Sequence, residues 1–251
     1  MEHDPETAAL IKKYPSLRKP IETGIESHDG REEALLQFIL AHPDIENIKG
    51  NPTKLLQAID EFSATHDFLI SIGPHKSNIL SGLIAKEKPS VVVELGGYLG
   101  YSAILFADTM RRSNPSDLSK FQVWSLEMSP EFAAIAEKLI GIAGLSDLVT
   151  VVVGPAEESL RKLKEEGKLT SIDMLFLDHA EELYVSDFKV CEGLGLLKKG
   201  AVIMADNVVK PGAPEYRNVV RTHSGLKSDG VRGLIQPGDL EDELEISYVT
   251  K

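Results

Sequence analysis

Apolar positions along the chain follow two periods. Glu33 to Leu40, Asn51 to Ala64 and His75 to Lys86 each carry apolar residues at helical spacing, and Asn51-Pro52 makes a helix start, an Asn cap before a first-turn proline. From Val91 the chain alternates short β-branched runs with longer amphipathic stretches. Strands are predicted at Val91 to Leu95, Gln122 to Glu127, Val149 to Gly154, Ile172 to Asp178 and Ala201 to Asn207. Helices are predicted between them, at Ser102 to Arg112, Pro130 to Gly144, Ala156 to Glu166 and Ser186 to Leu196. Alternating β and α elements imply an α/β fold with a doubly wound parallel sheet and helices on both faces. Arg232 to Ile235 and Leu244 to Val249 read as two closing strands joined by the acidic run Pro237 to Glu243, without a helix between them. They suit an antiparallel edge and bring the sheet to seven strands.

Residues 1–30 hold several prolines and charges without sustained periodicity, which predicts a flexible tail without chemistry. Residues 31–251 then form one domain, with N-terminal helices and a lid at 31–88 and the sheet core at 89–251. The segment Asp67 to Gly73, apolar and closed by Gly-Pro, is either a short core linker or a cover over a ligand.

Charge narrows the function. The 251 residues carry a formal net charge of −12, which disfavours nucleic acid and anionic lipid as partners. No apolar stretch approaches the roughly 20 residues of a membrane span, and the polar start Met1 to Pro5 lacks the features of a signal peptide. Cys191 is the single cysteine, so no internal disulfide can form and a reducing, cytoplasmic compartment is expected. A small-molecule substrate and a monomer or weak homodimer complete this expectation.

The first strand ends in Glu94-Leu-Gly96-Gly-Tyr98-Leu-Gly100-Tyr-Ser102. Glycines here let backbone pass close to a ligand, and the following helix presents free N–H groups. The dinucleotide pattern G-x-G-x-x-G fails at Tyr98 and Tyr101, which weakens a dehydrogenase reading. Glu94-x-Gly96-x-x-x-Gly100, followed one strand later by the terminal acid Glu127, resembles S-adenosylmethionine-dependent methyltransferases.

Ligands of open α/β sheets bind beyond the carboxyl ends of the strands. Asp178 ends one such strand, and Asp206 and Asn207 end the next. All three offer oxygen only, which suits hard Mg²⁺ better than Zn²⁺.

The resemblance then sharpens. Val91 to Ser102, Leu126 to Pro130, Val151 to Gly154, Met174 to His179 and Ala205 to Pro214 are similar to the motifs of the catechol O-methyltransferases, and the similarity runs from about Glu32 to the C-terminus. Carried over by position, it implies that Glu94, Gly96, Tyr98, Ser102, Glu127, Met128, Ala156, Glu157, Asp178 and His179 line an S-adenosylmethionine site. It implies that Asp178, Asp206 and Asn207 hold Mg²⁺, to which both catechol oxygens bind. Phe68, Ile70, Ile72, Pro211 and Ile235 fall where the family builds the apolar walls, Ile72 on the donor side. Gln236 stands where the family has a glutamate bonded to the second hydroxyl, and Asn207 also faces the acceptor.

Further departures concern the acceptor, where a gate tryptophan is also replaced by Phe68. The family's general-base lysine is replaced by Glu181, taken with Asp178 as the catalytic pair, and a neighbouring tryptophan is replaced by Ala180. The resulting expectation is a Mg²⁺-dependent catechol O-methyltransferase with an altered acceptor site. The alternative is a weakly active or non-catalytic relative that binds donor and metal.

Overall fold

Strand register places the ends of the central strands side by side. In the computed structural model, which describes residues 4–113, 115, 120–236 and 240–251, a seven-stranded sheet runs in the order β3-β2-β1-β4-β5-β7-β6. The strands are β1 (Val91–Leu95), β2 (Gln122–Glu127), β3 (Val149–Val153), β4 (Ile172–Leu177), β5 (Leu197–Ala205), β6 (Leu226–Ile235) and β7 (Leu240–Val249). The first five are parallel, and β7 is antiparallel to both β5 and β6. Leu95 lies opposite Leu126 and Leu177, and Leu177 lies opposite Ala205. Gly96, Glu127, Asp178 and Asp206 therefore emerge close to one level, around the point beside β1 where the winding reverses.

Alternation along each strand feeds two cores. Val92, Val123, Met174, Phe176, Val202 and Met204 face α3 (Arg31–Leu40), α5 (Pro52–Thr65), α6 (Gly73–Glu87), α7 (Tyr101–Ser113) and α8 (Pro130–Ala143). Val93, Leu95, Leu175, Leu177 and Ile203 face α9 (Ala156–Glu165), α10 (Tyr184–Gly193) and α11 (Pro214–Thr222). Caps mark the helix starts that the sequence suggests: the Asn51 side chain accepts from Lys54 N, and Ser129 accepts from Phe132 N at 3.2 Å. The doubly wound sheet with an antiparallel edge is as expected, and no helix among the described residues is long and apolar enough to cross a membrane.

Several boundaries need correction. Residues expected as a flexible tail form α1 (Pro5–Lys13) and α2 (Arg18–Thr23), joined by a 3-10 turn over Pro15–Leu17. Ile11 and Leu17 are buried, so these short helices gain order from packing rather than from periodicity. The short α4 (Ile45–Ile48) and α11 were not foreseen. Both closing strands run longer than expected, because Leu226 to Val231 pairs with Leu244 to Val249, and Leu240 to Glu243 pairs with Arg232 to Ile235 instead of forming a connection. Residues 237–239 of that run lie outside the described residues. In the Asp67 to Gly73 segment, Phe68, Leu69 and Ile72 pack inward while Ile70 is exposed.

Arg31 ties the N-terminal helices to this segment. Its buried guanidinium grips Asp29 through two bonds of 2.8 and 2.7 Å, and donates to Phe68 O at 2.7 Å and Ile25 O at 2.9 Å. That pairing holds the Asp29 carboxyl well below its usual range, so its stabilisation is present above the ordinary aspartate pKa and is lost as pH falls through the depressed value. Arg31→Met should lower stability by about 3 kcal/mol at pH 7, since one partner of a largely desolvated pair is removed. Urea denaturation checks this, and the deficit should shrink in acid.

Candidate active site

The glycine loop is held by contacts that leave little freedom. Gly96 has φ +94°, and a Cβ there would overlap the Asp178 carbonyl, so only glycine lets β1 and β4 deliver their loops this closely. Its N–H donates to Leu126 O at 2.9 Å, while Asp178 N donates to Leu95 O at 2.9 Å. Tyr98 has φ +41° and donates its N–H to Glu127 Oε2 at 2.7 Å; Ser129 N donates to Glu127 Oε1 at 2.8 Å. Each Glu127 oxygen thus keeps one lone pair for a further donor. The Tyr98 hydroxyl reaches Glu32 at 3.1 Å and anchors the loop to α3.

Glu94 is fully buried and accepts from the Ser125 hydroxyl at 2.5 Å through Oε1, while Oε2 has no hydrogen-bond partner among the described residues. Burial pushes its carboxyl up to about 7; the hydroxyls of Ser102 and Ser125 oppose this, and the Glu127 charge adds to it. His179 donates to or accepts from Asp187 at 2.8 Å through Nε2, and its buried Nδ1 is also unpartnered. Two orphaned polar atoms at one end of the sheet mark a place built for a polar ligand. Met128 is exposed, and Ala156 and Glu157 open α9, with Glu157 paired to Arg161 at 2.8 Å.

The acids of β4 and β5 meet beside this loop. Burial raises the Asp178 carboxyl well above its usual value, and the neighbouring Asp206 charge adds to it, as do Glu94 and Glu181 at greater remove. Asp206 is buried, and its Oδ1 accepts from Lys76 Nζ at 2.5 Å and from Asn207 N at 2.8 Å, leaving Oδ2 for another partner. Asn207 adopts φ +56°, a left-handed conformation that asparagine tolerates. Its amide nitrogen donates to Lys210 O at 3.0 Å and Asp242 Oδ2 at 3.3 Å, which leaves the amide oxygen as the atom that could hold a cation.

Gln236, expected to face the methyl acceptor, is buried and takes a 3.0 Å bond from the Ser71 hydroxyl. Beside it Asp60 accepts from Tyr101 OH at 3.1 Å, has one unpartnered oxygen, and is pushed up to about 6 chiefly by burial. Phe68 and Ile72 are buried, Ile235 is half-buried, and Ile70 and Pro211 are exposed. Glu181 lies in the short turn Glu181–Leu183 after Asp178, half-buried, with Ala180 exposed before it.

The sequence reading missed Lys76, Asp242, Asp60 and Ser125. Lys76 and Asp242 sit in a helix and an acidic run, where charge ordinarily signals solvent exposure, and nothing along the chain says that they meet.

Between pH 4.5 and 7 the folded protein holds a proton on Glu94 that the unfolded chain releases, so this acid makes stability fall as pH rises through that window. Glu94→Gln should remove about 2 kcal/mol of the loss between pH 5 and pH 7. Parallel urea curves for the two proteins at both pH values decide it, and identical slopes would be the contrary result.

Residues 47–222 match the family described as O-methyltransferase. The chain is 32% identical over 237 residues to the catechol O-methyltransferase of Bos taurus, covering 94% of this chain and 83% of that one. It is 35% identical over 217 residues to catechol O-methyltransferase B of Danio rerio, covering 86% and 78% respectively. The solved O-methyltransferase from Bacillus cereus in complex with SAH superposes with a TM-score of 0.65 at 21% identity, over 95% of this chain and 99% of that one. With the family match spanning most of the chain and those identities extending over nearly all of it, the chain belongs to the O-methyltransferase family.

Proposed function

We propose that this protein transfers a methyl group from S-adenosylmethionine to one hydroxyl of a catechol, with Mg²⁺ as its resident cation. The observation that carries the reading is the convergence of Asp178, Asp206 and Asn207 beside a glycine loop with a buried carboxyl that has one unpartnered oxygen. The names of the Bos taurus and Danio rerio relatives support the acceptor, and the SAH-bound Bacillus cereus protein supports the donor.

The residues fit both groups. Glu94 Oε2 suits a cationic part of the donor, His179 Nδ1 suits a polar ring edge, and the free lone pairs of Glu127 suit a pair of ribose hydroxyls. Asp206 Oδ2, an Asp178 carboxylate oxygen and the Asn207 amide oxygen form a hard oxygen set, and the Asp206 charge that helps to raise the Asp178 carboxyl favours a cation here. When bound, Mg²⁺ would lower the pKa of a catechol hydroxyl and fix its direction. The chain's remaining work is to orient the acceptor against the methyl group and to keep water out, tasks that fall to Phe68, Ile72 and Ile235.

Glu181 makes the acceptor side unusual. A carboxylate can take a proton, but its charge disfavours a neighbouring phenolate, which would leave more of the activation to a cation held by the oxygen set. This same feature, with Lys76 seated on Asp206, favours a second reading, a weakly active or non-catalytic binder.

The deciding assay is formation of S-adenosylhomocysteine from S-adenosylmethionine and catechol. Turnover should require Mg²⁺, stop in excess chelator and vanish in Asp206→Ala, while calorimetric donor binding to that variant stays nearly intact; full turnover in chelator would sink the Mg²⁺ reading, and none under any condition would leave the binder. Glu181→Lys should raise kcat at pH 7 by about tenfold or more, within the usual range of general-base catalysis. A fall in rate on every catechol tried would make Glu181 the working base or a contact to a cationic acceptor.

A further inference from the structure

Asp242 and Lys76 form a buried cluster outside the groups assigned to the reaction. The Asp242 side chain on β7 has no exposed surface, and all four of its acceptor directions are filled. Oδ1 accepts from Val209 N at 3.0 Å and Lys210 N at 2.9 Å; Oδ2 accepts from Lys76 Nζ at 2.7 Å and Asn207 Nδ2 at 3.3 Å. A carboxylate saturated in this way has no lone pair left for a metal or a substrate. Three of its bonds go instead to the segment 207–210, which follows the acid Asp206, and the fourth to Lys76.

Lys76 closes the arrangement. Its ammonium on α6 bridges Asp206 at 2.5 Å and Asp242 at 2.7 Å, and its side chain is almost wholly buried. Room for its stem comes from Gly233, the cross-strand partner of Asp242, where a Cβ would lie 3.0 Å from Lys76 Cγ. Helix α6, strand end β5 and hairpin β6–β7 are thus joined at one point by charge-assisted bonds, which are stronger than neutral ones. Asn207 is left-handed, and its side-chain amide is drawn toward Asp242, so the direction of its oxygen follows from that bond.

We propose that Asp242 is a positioning residue for the divalent-cation site: braced by Lys76, it fixes Asn207 and the 207–210 backbone, so that the ligating oxygens of β5 are set before a cation arrives. The inference rests on the metal reading given above, and it assigns Asp242 no contact with metal or substrate.

Mn²⁺ alone is the probe, measured by calorimetry on the full chain. Asp242→Asn should weaken Mn²⁺ affinity by about tenfold or more, about 1.4 kcal/mol, and raise the catechol KM more than it lowers kcat, while S-adenosylmethionine affinity stays within about twofold. Asp242→Glu, which restores the charge, should recover part of the Mn²⁺ affinity; a residue that merely fills space would show no such rescue. Unchanged Mn²⁺ binding in Asp242→Asn overturns the proposal. If that variant fails to fold, hydrogen exchange in the metal-free wild-type protein decides: the Val209 and Lys210 amides should be protected as well as those of β5, and fast exchange at both overturns the proposal. Wild-type protein that binds no Mn²⁺ refutes the metal reading, and exchange then decides the bracing of the loop by itself.

Discussion

Parallel strands that end at one level force their loops to share one small space, and the chemistry of this protein follows from that constraint. Leu95, Leu126, Leu177 and Ala205 close ranks across four strands, and the next residues are Gly96, Glu127, Asp178 and Asp206. Three of these are acids, and Glu94 adds a fourth carboxylate one step back. Charge of one sign gathered where water is scarce is unstable unless it is protonated, hydrogen-bonded or matched by a cation. Each answer occurs here at a different acid. Glu94 is pushed toward its neutral form, Glu127 is held by two backbone N–H groups, and Asp206 is paired with Lys76.

Lys76 is the costly member of this set, because burial works against its charge even as Asp206 and Asp242 hold its pKa above the usual value. A buried ion network is weak grounds for stability, since well-packed apolar groups often serve as well. Its persistence here is better understood through geometry. An ammonium with three donors and a saturated carboxylate restrict directions more than an apolar contact can, and the residues so restricted are those next to Asp206.

Much of the fold and part of the site could be read from the sequence, and the boundary between the two has a physical cause. Strands such as Val91 to Leu95 and Ile172 to Leu177 are buried on both faces, so they stand out as apolar runs whose terminal acids are conspicuous. That is why Glu94, Asp178 and Asp206 could be singled out before the fold was known. Long-range pairing leaves no such mark. Gly233 opposite Asp242, and Lys76 threaded beside them, join residues separated by 166 positions. The N-terminal helices show the same limit from another side: α1 and α2 have few apolar residues, and only Ile11 and Leu17, buried against the rest, reveal why they are ordered.

On the proposed reading the acceptor side shows how one substitution passes its burden to another group. Where the family resemblance puts lysine and glutamate, this chain has Glu181 and Gln236, so the rim has changed by one unit toward negative charge while the oxygen set deeper in keeps its acids. Gln236 is not free to compensate by turning, because its carbonyl oxygen is held by Ser71 at 3.0 Å and the neighbouring Asp60 attracts its amide nitrogen. Asp60, raised to about 6 chiefly by burial, is about half ionised near pH 6 and adds negative charge above it. A phenolate formed here would thus depend on a cation held by Asp178, Asp206 and Asn207. The precision with which Asp206 and Asn207 are held then matters more for the rate than it would beside a lysine, and a shift of their oxygens could not be made good by the rim.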